Sequence, residues 1–220
     1  MNAYQNKIKS ATQSAFSSLS RFADKVTEYR QKLQEIAKME YLTQEGKEQE
    51  TDKAKAALVQ YAASLSSEIS LDMSAIRKAA LDMENDFTIT PELQAAVTLL
   101  GAAGDSLDGE TVERVWRGFI GNHHALVSLK ALLESKGAST RGIEKYIFNV
   151  EAKCDKLDDL ALTFKIQPGT NLNQTVALGK ALEEFCELEG VELDNSFVGV
   201  LGNENYSQFY TEQLKAAFGV

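Results

Sequence analysis

Residues 16–36 read FSSLSRFADKVTEYRQKLQEI, and their apolar side chains recur at alternating intervals of three and four residues. The alternation starts before this stretch, at Ile8, and continues without interruption to Ile36. Its positions are Ile8, Thr12, Ala15, Leu19, Phe22, Val26, Tyr29, Leu33 and Ile36. Such a heptad repeat is typical of a long helix whose narrow apolar stripe lies along a second helix.

A second stripe of the same kind occurs later in the sequence, so the partner helix can come from the same chain. Its positions are Leu58, Ala62, Leu65, Ile69, Asp72, Ile76, Ala79 and Met83. The polar stretch between the two stripes contains Gly46-Lys47, where the chain can turn. An antiparallel pairing about that turn places Tyr29 opposite Leu65. The sequence therefore predicts a long antiparallel coiled-coil hairpin over residues 1–86.

The remainder of the chain, residues 87–220, is also predicted to be helical. Ala, Leu, Glu, Lys and Gln favour helices and dominate most segments, and the whole chain contains only 2 prolines. The expected helices cover residues 91–100, 110–120, 123–136, 140–164, 173–189 and 206–218. The apolar segment 197–201 is consistent with either a strand or a buried loop. We therefore predict an all-α fold, in which the hairpin is followed by a small, acidic helical-bundle domain.

The stretch IKSATQSAFSSLSRFADKVTEYRQKL, residues 8–33, and the hairpin layout resemble accessory structural proteins of tailed phages. Scaffold and virion-associated proteins of that kind often combine a helical rod with a small globular end. The resemblance covers residues 1–86 and carries over no catalytic residue. It implies a structural or assembly component, located in the cytoplasm or in a virion, that binds a protein partner as a homo-oligomer or within a phage particle.

The acidic side chains are concentrated near the C-terminus. The formal net charge of the chain is −9, and residues 181–220 contain eight acidic side chains against one basic side chain, Lys215. One interpretation is a solvated acidic face that keeps the protein soluble. The other is a surface that binds a basic partner, for which the candidates are Glu183, Glu184 and Glu187, since they share one side of a helix.

The segment 110–120 carries an apolar stripe that includes Trp116, the single tryptophan of the chain, and Phe119. Packing in the core is one interpretation of these two side chains. The alternative is an anchor at a protein interface, because aromatic residues often dominate binding energy there. Trp116 and Phe119 are therefore further candidates for partner binding.

The sequence contains no recognised catalytic or metal-binding motif. His123 and His124 are adjacent, whereas two metal ligands on one helix need a spacing of three or four residues. The motifs GxxxxGK[ST], HExxH and GxSxG are missing. Cys154 and Cys186 are far apart and are expected to be reduced thiols in the core. We therefore predict no metal, no cofactor and no enzymatic activity; an enzyme with an unrecognised site is the least favoured alternative.

Direct binding to nucleic acid or to a membrane is not expected either. Residues 129–151, LKALLESKGASTRGIEKYIFNVE, have the pattern helix, tight turn, helix that some DNA-binding proteins share. Glu144 and Glu151 in the second helix, together with the net negative charge, oppose binding to phosphates. No apolar run approaches the roughly 18 residues of a membrane-spanning helix, and the N-terminal residues do not resemble a secretory signal.

These observations favour a non-enzymatic helical interaction or structural protein, in agreement with the phage resemblance. The alternative is an acidic, phage-borne inhibitor that binds a basic, nucleic-acid-handling host protein. The two classes differ in their response to salt, because binding between an acidic and a basic surface weakens steeply as ionic strength rises.

Overall fold

The computed structural model describes residues 2–86, 88–103, 108–166, 172–202, 205–207, 209 and 211. Every regular element within these ranges is helical, so the predicted all-α fold is confirmed. None of the described helices is both long enough and apolar enough to cross a lipid bilayer. The α-helices are α1 (Ala3–Lys38), α2 (Gln44–Asn85), α3 (Pro91–Ala103), α4 (Gly109–Arg117), α5 (His123–Ser135), α6 (Val150–Ile166), α7 (Asn173–Leu188) and α8 (Phe197–Leu201), and a 3-10 turn spans Ile143–Tyr146.

Helices α1 and α2 pack against each other as the predicted helical hairpin. Every predicted stripe position of α1 is buried except Tyr29 and Leu33, which are half-buried. Every predicted stripe position of α2 is buried except Asp72, and its neighbour Met73 is buried instead. The two stripes are therefore the faces that these helices bury, while their coiled-coil packing stays a prediction.

The turn of the hairpin lies earlier in the chain than predicted. α2 already begins at Gln44, so Gly46 lies in its first turn and the predicted turn at Gly46-Lys47 is wrong. Thr43 explains the earlier start, because its side-chain oxygen accepts the backbone N–H of Gly46 at 3.1 Å. A threonine in this position satisfies one of the backbone N–H groups that a helix leaves unpaired at its N-terminus.

The earlier turn changes the register of the two helices by about one heptad. The guanidinium of Arg21 pairs with the carboxylate of Glu68, and the Lys25 ammonium lies 5.7 Å from the centroid of the Tyr61 ring. The predicted register would instead place Arg21 beside Met73. The predicted pairing of individual residues is therefore wrong, although both helices and their directions are as expected.

The chain forms two compact units, and each of them combines segments that are distant in sequence. The first unit comprises Met1–Lys9, Ala75–Cys154 and Glu184–Glu192, and the second comprises Ser10–Ser74, Asp155–Glu183 and Leu193–Val220. The predicted division into a hairpin over residues 1–86 and a helical domain over residues 87–220 stays a prediction.

In the first unit, helices α3, α4 and α5 and the 3-10 turn enclose the ring of Trp116. This side chain is 1% exposed, and its ring centroid lies 5.9 Å from that of Tyr146. The buried core around it consists of Leu93, Ala96, Leu100, Val112, Trp116, Ala125, Leu126, Leu129, Leu133, Ile143, Tyr146 and Leu188. Burial of this much apolar surface is the main source of stability in such a bundle.

In the second unit, α1 buries a wider face than its heptad stripe alone. Phe16, which lies outside the stripe, contacts Phe197 of α8 with 5.0 Å between ring centroids. Phe22 contacts Phe164 of α6 edge to face, also at 5.0 Å. α1 therefore packs on α6 and α8 as well as on α2, which explains why residues from the C-terminal half of the chain belong to this unit.

The predicted helix from Thr140 to residue 164 is wrong in its first ten residues. Gly142 has a left-handed backbone conformation, with φ of +89°, and is followed by a single 3-10 turn rather than by an α-helix. α6 begins only at Val150, where the side chain of Asn149 accepts the backbone N–H of Ala152 at 2.8 Å. The DNA-binding pattern helix, turn, helix is therefore not formed by residues 129–151.

The other predicted helices agree with the structure within a few residues, with two exceptions. The segment 197–201, predicted as a strand or a loop, is the short helix α8, and the side chain of Ser196 caps its N-terminus. Most of the predicted helix 206–218 lies outside the described residues. Cys154 and Cys186 are both buried, as expected.

Two glycine-to-alanine variants test the packing of α7 against α8. A Cβ atom at Gly179 would lie 2.3 Å from the Phe197 ring, whereas at Gly101 in α3 it would meet no atom within 4 Å. We expect Gly179→Ala to lower the free energy of unfolding by about 1–3 kcal/mol. Gly101→Ala is expected to raise it by roughly 0.5–1 kcal/mol, because alanine is the better helix former. Urea denaturation measures both; equal stabilisation by the two changes would contradict the packing described here.

Candidate protein-binding surface

Fewer side chains of α1 are buried beyond Val26 than before it. Between Ile8 and Val26 most turns of α1 bury two or more side chains, whereas beyond Val26 only Ile36 is fully buried. The stripe positions Tyr29 and Leu33 remain half-buried. We call residues 25–58 the hairpin tip. In the hairpin tip, α2 covers the stripe of α1 from one side only, so apolar surface of α1 remains accessible.

A first groove runs between α1 and α2 in the hairpin tip and has a volume of about 480 Å³. Its accessible apolar surface includes the half-buried ring of Tyr29, whereas Leu58 in its lining is only 2% exposed. Ala54 and Ala57 also line the groove, and their small side chains allow a partner helix to approach closely. The charged side chains around it are Lys25, Glu28, Lys32, Glu35, Glu50 and Lys53.

A second groove, with a volume of about 670 Å³, lies nearer the turn. It is lined by Leu33, Ile36 and Ala37 on α1 and by polar residues on α2. Lys47 also lines this groove, and its Nζ donates a hydrogen bond to the carbonyl of Ala37 at 2.8 Å. In the turn itself, the ring of Tyr41 is 79% exposed. Both grooves thus combine apolar and polar groups in the manner of a protein interface.

The three acidic candidates of the sequence lie on α7, and each has a lysine as its ionic partner. The pairs are Glu183 with Lys180 at 3.5 Å, Glu184 with Lys153 at 2.8 Å and Glu187 with Lys145 at 2.5 Å. These lysines neutralise much of the negative charge locally, so this face attracts a distant basic partner less strongly than the sequence suggested. Partner binding by these three acids stays a prediction.

An aromatic anchor of a protein interface must be accessible to a partner, and the two aromatic candidates are largely buried. Trp116 is almost completely buried, and Phe119 packs partly buried against the same core. The guanidinium of Arg117 lies 5.5 Å from the centre of the Trp116 ring. Trp116 is therefore a core residue, which was the first of the two interpretations, and only Phe119 retains an accessible part.

A buried histidine–glutamate pair was not predicted from the sequence. His123 is the first residue of α5 and is 6% exposed, and Glu189 follows α7 and is 0% exposed. His123 Nε2 lies 3.5 Å from Glu189 Oε2, and the Phe148 ring packs edge to face on the imidazole at 4.5 Å. Glu189 belongs to the acidic region of residues 181–220, and its burial shows that the interpretation as a solvated acidic face is wrong for this side chain.

Two glycines bring the backbone segments around this pair close together. Gly121 has a φ of +86°, and a Cβ atom there would lie 2.4 Å from the carbonyl oxygen of Glu189. Gly190 has a φ of +66°, and its Cβ would lie 2.9 Å from the carbonyl oxygen of Ile120. Gln5 ties α1 to the same place by donating from Nε2 to the Glu189 carbonyl at 3.0 Å. Only glycine tolerates both the conformation and the approach.

The geometry of the pair indicates a structural role rather than catalysis. Both side chains are too deeply buried to touch a dissolved substrate in this structure. His124, the next residue of α5, is exposed. No cluster of three or more His, Cys, Asp or Glu that could hold a metal ion occurs in the described part of the chain. Burial raises the pKa of Glu189, and the nearby imidazole of His123 opposes this shift.

The chain matches no known protein-family model, and no curated protein or solved structure is significantly similar to it. The candidate function therefore depends on the geometry and charges of the described residues.

The raised pKa of Glu189 predicts a pH-dependent effect of Glu189→Gln. Ionisation of this carboxylate costs more in the folded than in the unfolded chain, so the cost is absent below its ordinary pKa of 4.5 and grows as the pH rises through the raised value. We expect the free energy of unfolding of the variant, relative to the unaltered protein, to increase as the pH rises above about 4.5. Chemical denaturation at a series of pH values measures this difference.

Glu192→Gln is the matched control, because Glu192 lies in the same segment but is exposed. The pH dependence of the Glu189→Gln variant is compared with that of this control. A difference between Glu189→Gln and the unaltered protein that stays constant with pH would show that burial does not perturb the carboxylate.

Proposed function

We propose that this protein is a non-enzymatic interaction or structural protein that binds a protein partner through its hairpin tip. The observation that carries the proposal is the incomplete burial of the α1 stripe beyond Val26, with Tyr29 and Leu33 half-buried beside two grooves. In the hairpin tip the α1 stripe continues to Ile36, but the surface on either side of it is not covered by another helix. A helical hairpin with such an uncovered apolar surface can bind a further helix.

The shape and composition of the grooves favour a helical partner. A groove between two packed helices accepts the apolar side of a third helix, whose side chains fit between the ridges of the first two. Ala54 and Ala57 allow close approach, and Tyr29 provides a large ring that can be buried on binding. A structural or assembly component of a phage particle is the form of this function that the sequence resemblance implies.

The alternative, an acidic inhibitor of a nucleic-acid-handling protein, has less support. It requires a concentrated negative surface, but Glu183, Glu184 and Glu187 each have a lysine within 3.5 Å. Glu189, which belongs to the same acidic region, is buried. The two proposals use different surfaces of the molecule, so variants of each surface separate them.

The test compares partner capture by a tip variant and by a matched control. Tyr29→Ala combined with Leu33→Ala removes the half-buried apolar groups of the tip. Leu71→Ala combined with Leu162→Ala removes apolar groups of similar size that are 73% and 51% exposed and lie outside the tip. We expect the tip variant to capture its partner from a lysate of the native host at least about ten-fold less efficiently, which corresponds to about 1.4 kcal/mol, while the control behaves like the unaltered protein.

Quantitative mass spectrometry of the captured proteins provides the measurement, and circular dichroism confirms that both variants keep their helices. Equal capture by the tip variant and the control would contradict the proposal. Loss of capture on changing Glu183, Glu184 and Glu187 to Lys, with no effect of the tip variant, would favour the acidic inhibitor instead.

A further inference from the structure

The charges on the α1 side of the first groove follow an ordered pattern. Lys25, Glu28, Lys32 and Glu35 all line this groove, and they are separated by three, four and three residues. These spacings place the four side chains on one side of α1, over a length of about 15 Å. From Lys25 to Glu35 the side chains are base, acid, base and acid, and in the opposite direction they are acid, base, acid and base. Reversing the direction of the helix therefore exchanges the sign of the charge at every position.

A helix with this order of charges is electrostatically complementary to an antiparallel second copy of itself. When two copies of α1 lie antiparallel and are related by a two-fold axis midway between Glu28 and Lys32, Lys25 of one copy faces Glu35 of the other. Glu28 of each copy then faces Lys32 of the other. A two-fold axis repeats each contact, so four pairs of opposite charge result from two kinds of contact.

The remaining lining of the groove is consistent with such an arrangement. The half-buried ring of Tyr29 supplies apolar surface, and Ala54 and Ala57 leave room for the approaching helix. Within one chain, Lys25 contacts Glu28, and Lys53 contacts Glu50 at 2.7 Å. The groove thus holds as many bases as acids, which gives neither a strongly basic nor a strongly acidic partner a preferred surface.

We propose that the first groove is a symmetric self-association surface, at which the hairpin tips of two copies of this chain pack antiparallel with Lys25 facing Glu35 and Glu28 facing Lys32. This inference rests on the proposed function and names the chain itself as the partner of the tip. Two hairpins joined in this way form a four-helix arrangement that covers the open side of the stripe at Tyr29.

Charge reversal at either position of the Glu28–Lys32 contact tests the arrangement, because the two-fold axis applies every change twice. Lys32→Glu places Glu28 opposite a glutamate at two points, and Glu28→Lys places Lys32 opposite a lysine at two points. Like charges facing each other at an interface oppose association. We expect sedimentation equilibrium of the purified full chain to show a dimer, and each single variant to have an association constant reduced at least about ten-fold.

Mixing the two single variants provides the decisive measurement. A chain with Lys32→Glu and a chain with Glu28→Lys present opposite charges to each other at every one of the four contacts. We expect an equimolar mixture to associate with an affinity within about three-fold of that of the unaltered protein, and to contain one copy of each variant. The double variant Glu28→Lys with Lys32→Glu should also regain self-association, since its two changes exchange the charges.

Lys55→Glu is the matched control, because Lys55 lies on the same hairpin, is exposed and does not line either groove. It should associate like the unaltered protein. An unaltered chain that remains monomeric at about 100 μM, or single variants that associate as before, would overturn the proposed self-association. If the tip still captures a different protein in the lysate experiment, only this inference fails and the proposed function stands.

Discussion

The burial of one face of α1 is the constraint on which the described structure depends. Between Ile8 and Val26 that face contacts α2, and in the second unit it also contacts α6 and α8 through Phe22 and Phe16. Each large apolar side chain removed from water there contributes roughly 1.5–3 kcal/mol. Beyond Val26 the same repeat continues, and α2 is its neighbour. The stripe there still packs on α2, but the surface on either side of the stripe remains accessible.

The sequence was sufficient to predict the helices and the buried stripes but not their register. Burial on one side of a helix is visible as a period of three and four residues, and the stripe from Ile8 to Ile36 shows it clearly. A repeat of seven residues, however, is nearly unchanged when one helix slips by seven positions. α2 begins at Gln44, directly after the capping residue Thr43, and this early start accompanies the observed register. The hydrophobic pattern does not encode that start, because capping is a local feature of the turn.

The buried pair of His123 and Glu189 could not be predicted for a different reason. The two residues are far apart in sequence, and Glu189 occurs in an acidic segment in which most of the other described acidic side chains are exposed. Its burial results from the close approach of two backbone segments at Gly121 and Gly190. A glycine at a helix end usually indicates only that the helix stops there, so its second role in admitting another backbone segment is visible only in three dimensions.

The energetics of exposed charges explain why the hairpin tip is a better candidate surface than the acidic side of α7. An exposed ion pair typically contributes no more than about 1 kcal/mol. A basic partner that replaced Lys145 beside Glu187 would exchange one such pair for another and would gain little. At the tip, by contrast, a partner covers the half-buried ring of Tyr29 and the apolar floor of the groove, which contributes about 25 cal/mol for each Å² removed from water. The affinity of the tip would then come from its apolar stripe, and the order of charges from Lys25 to Glu35 would determine which partner fits and in which direction.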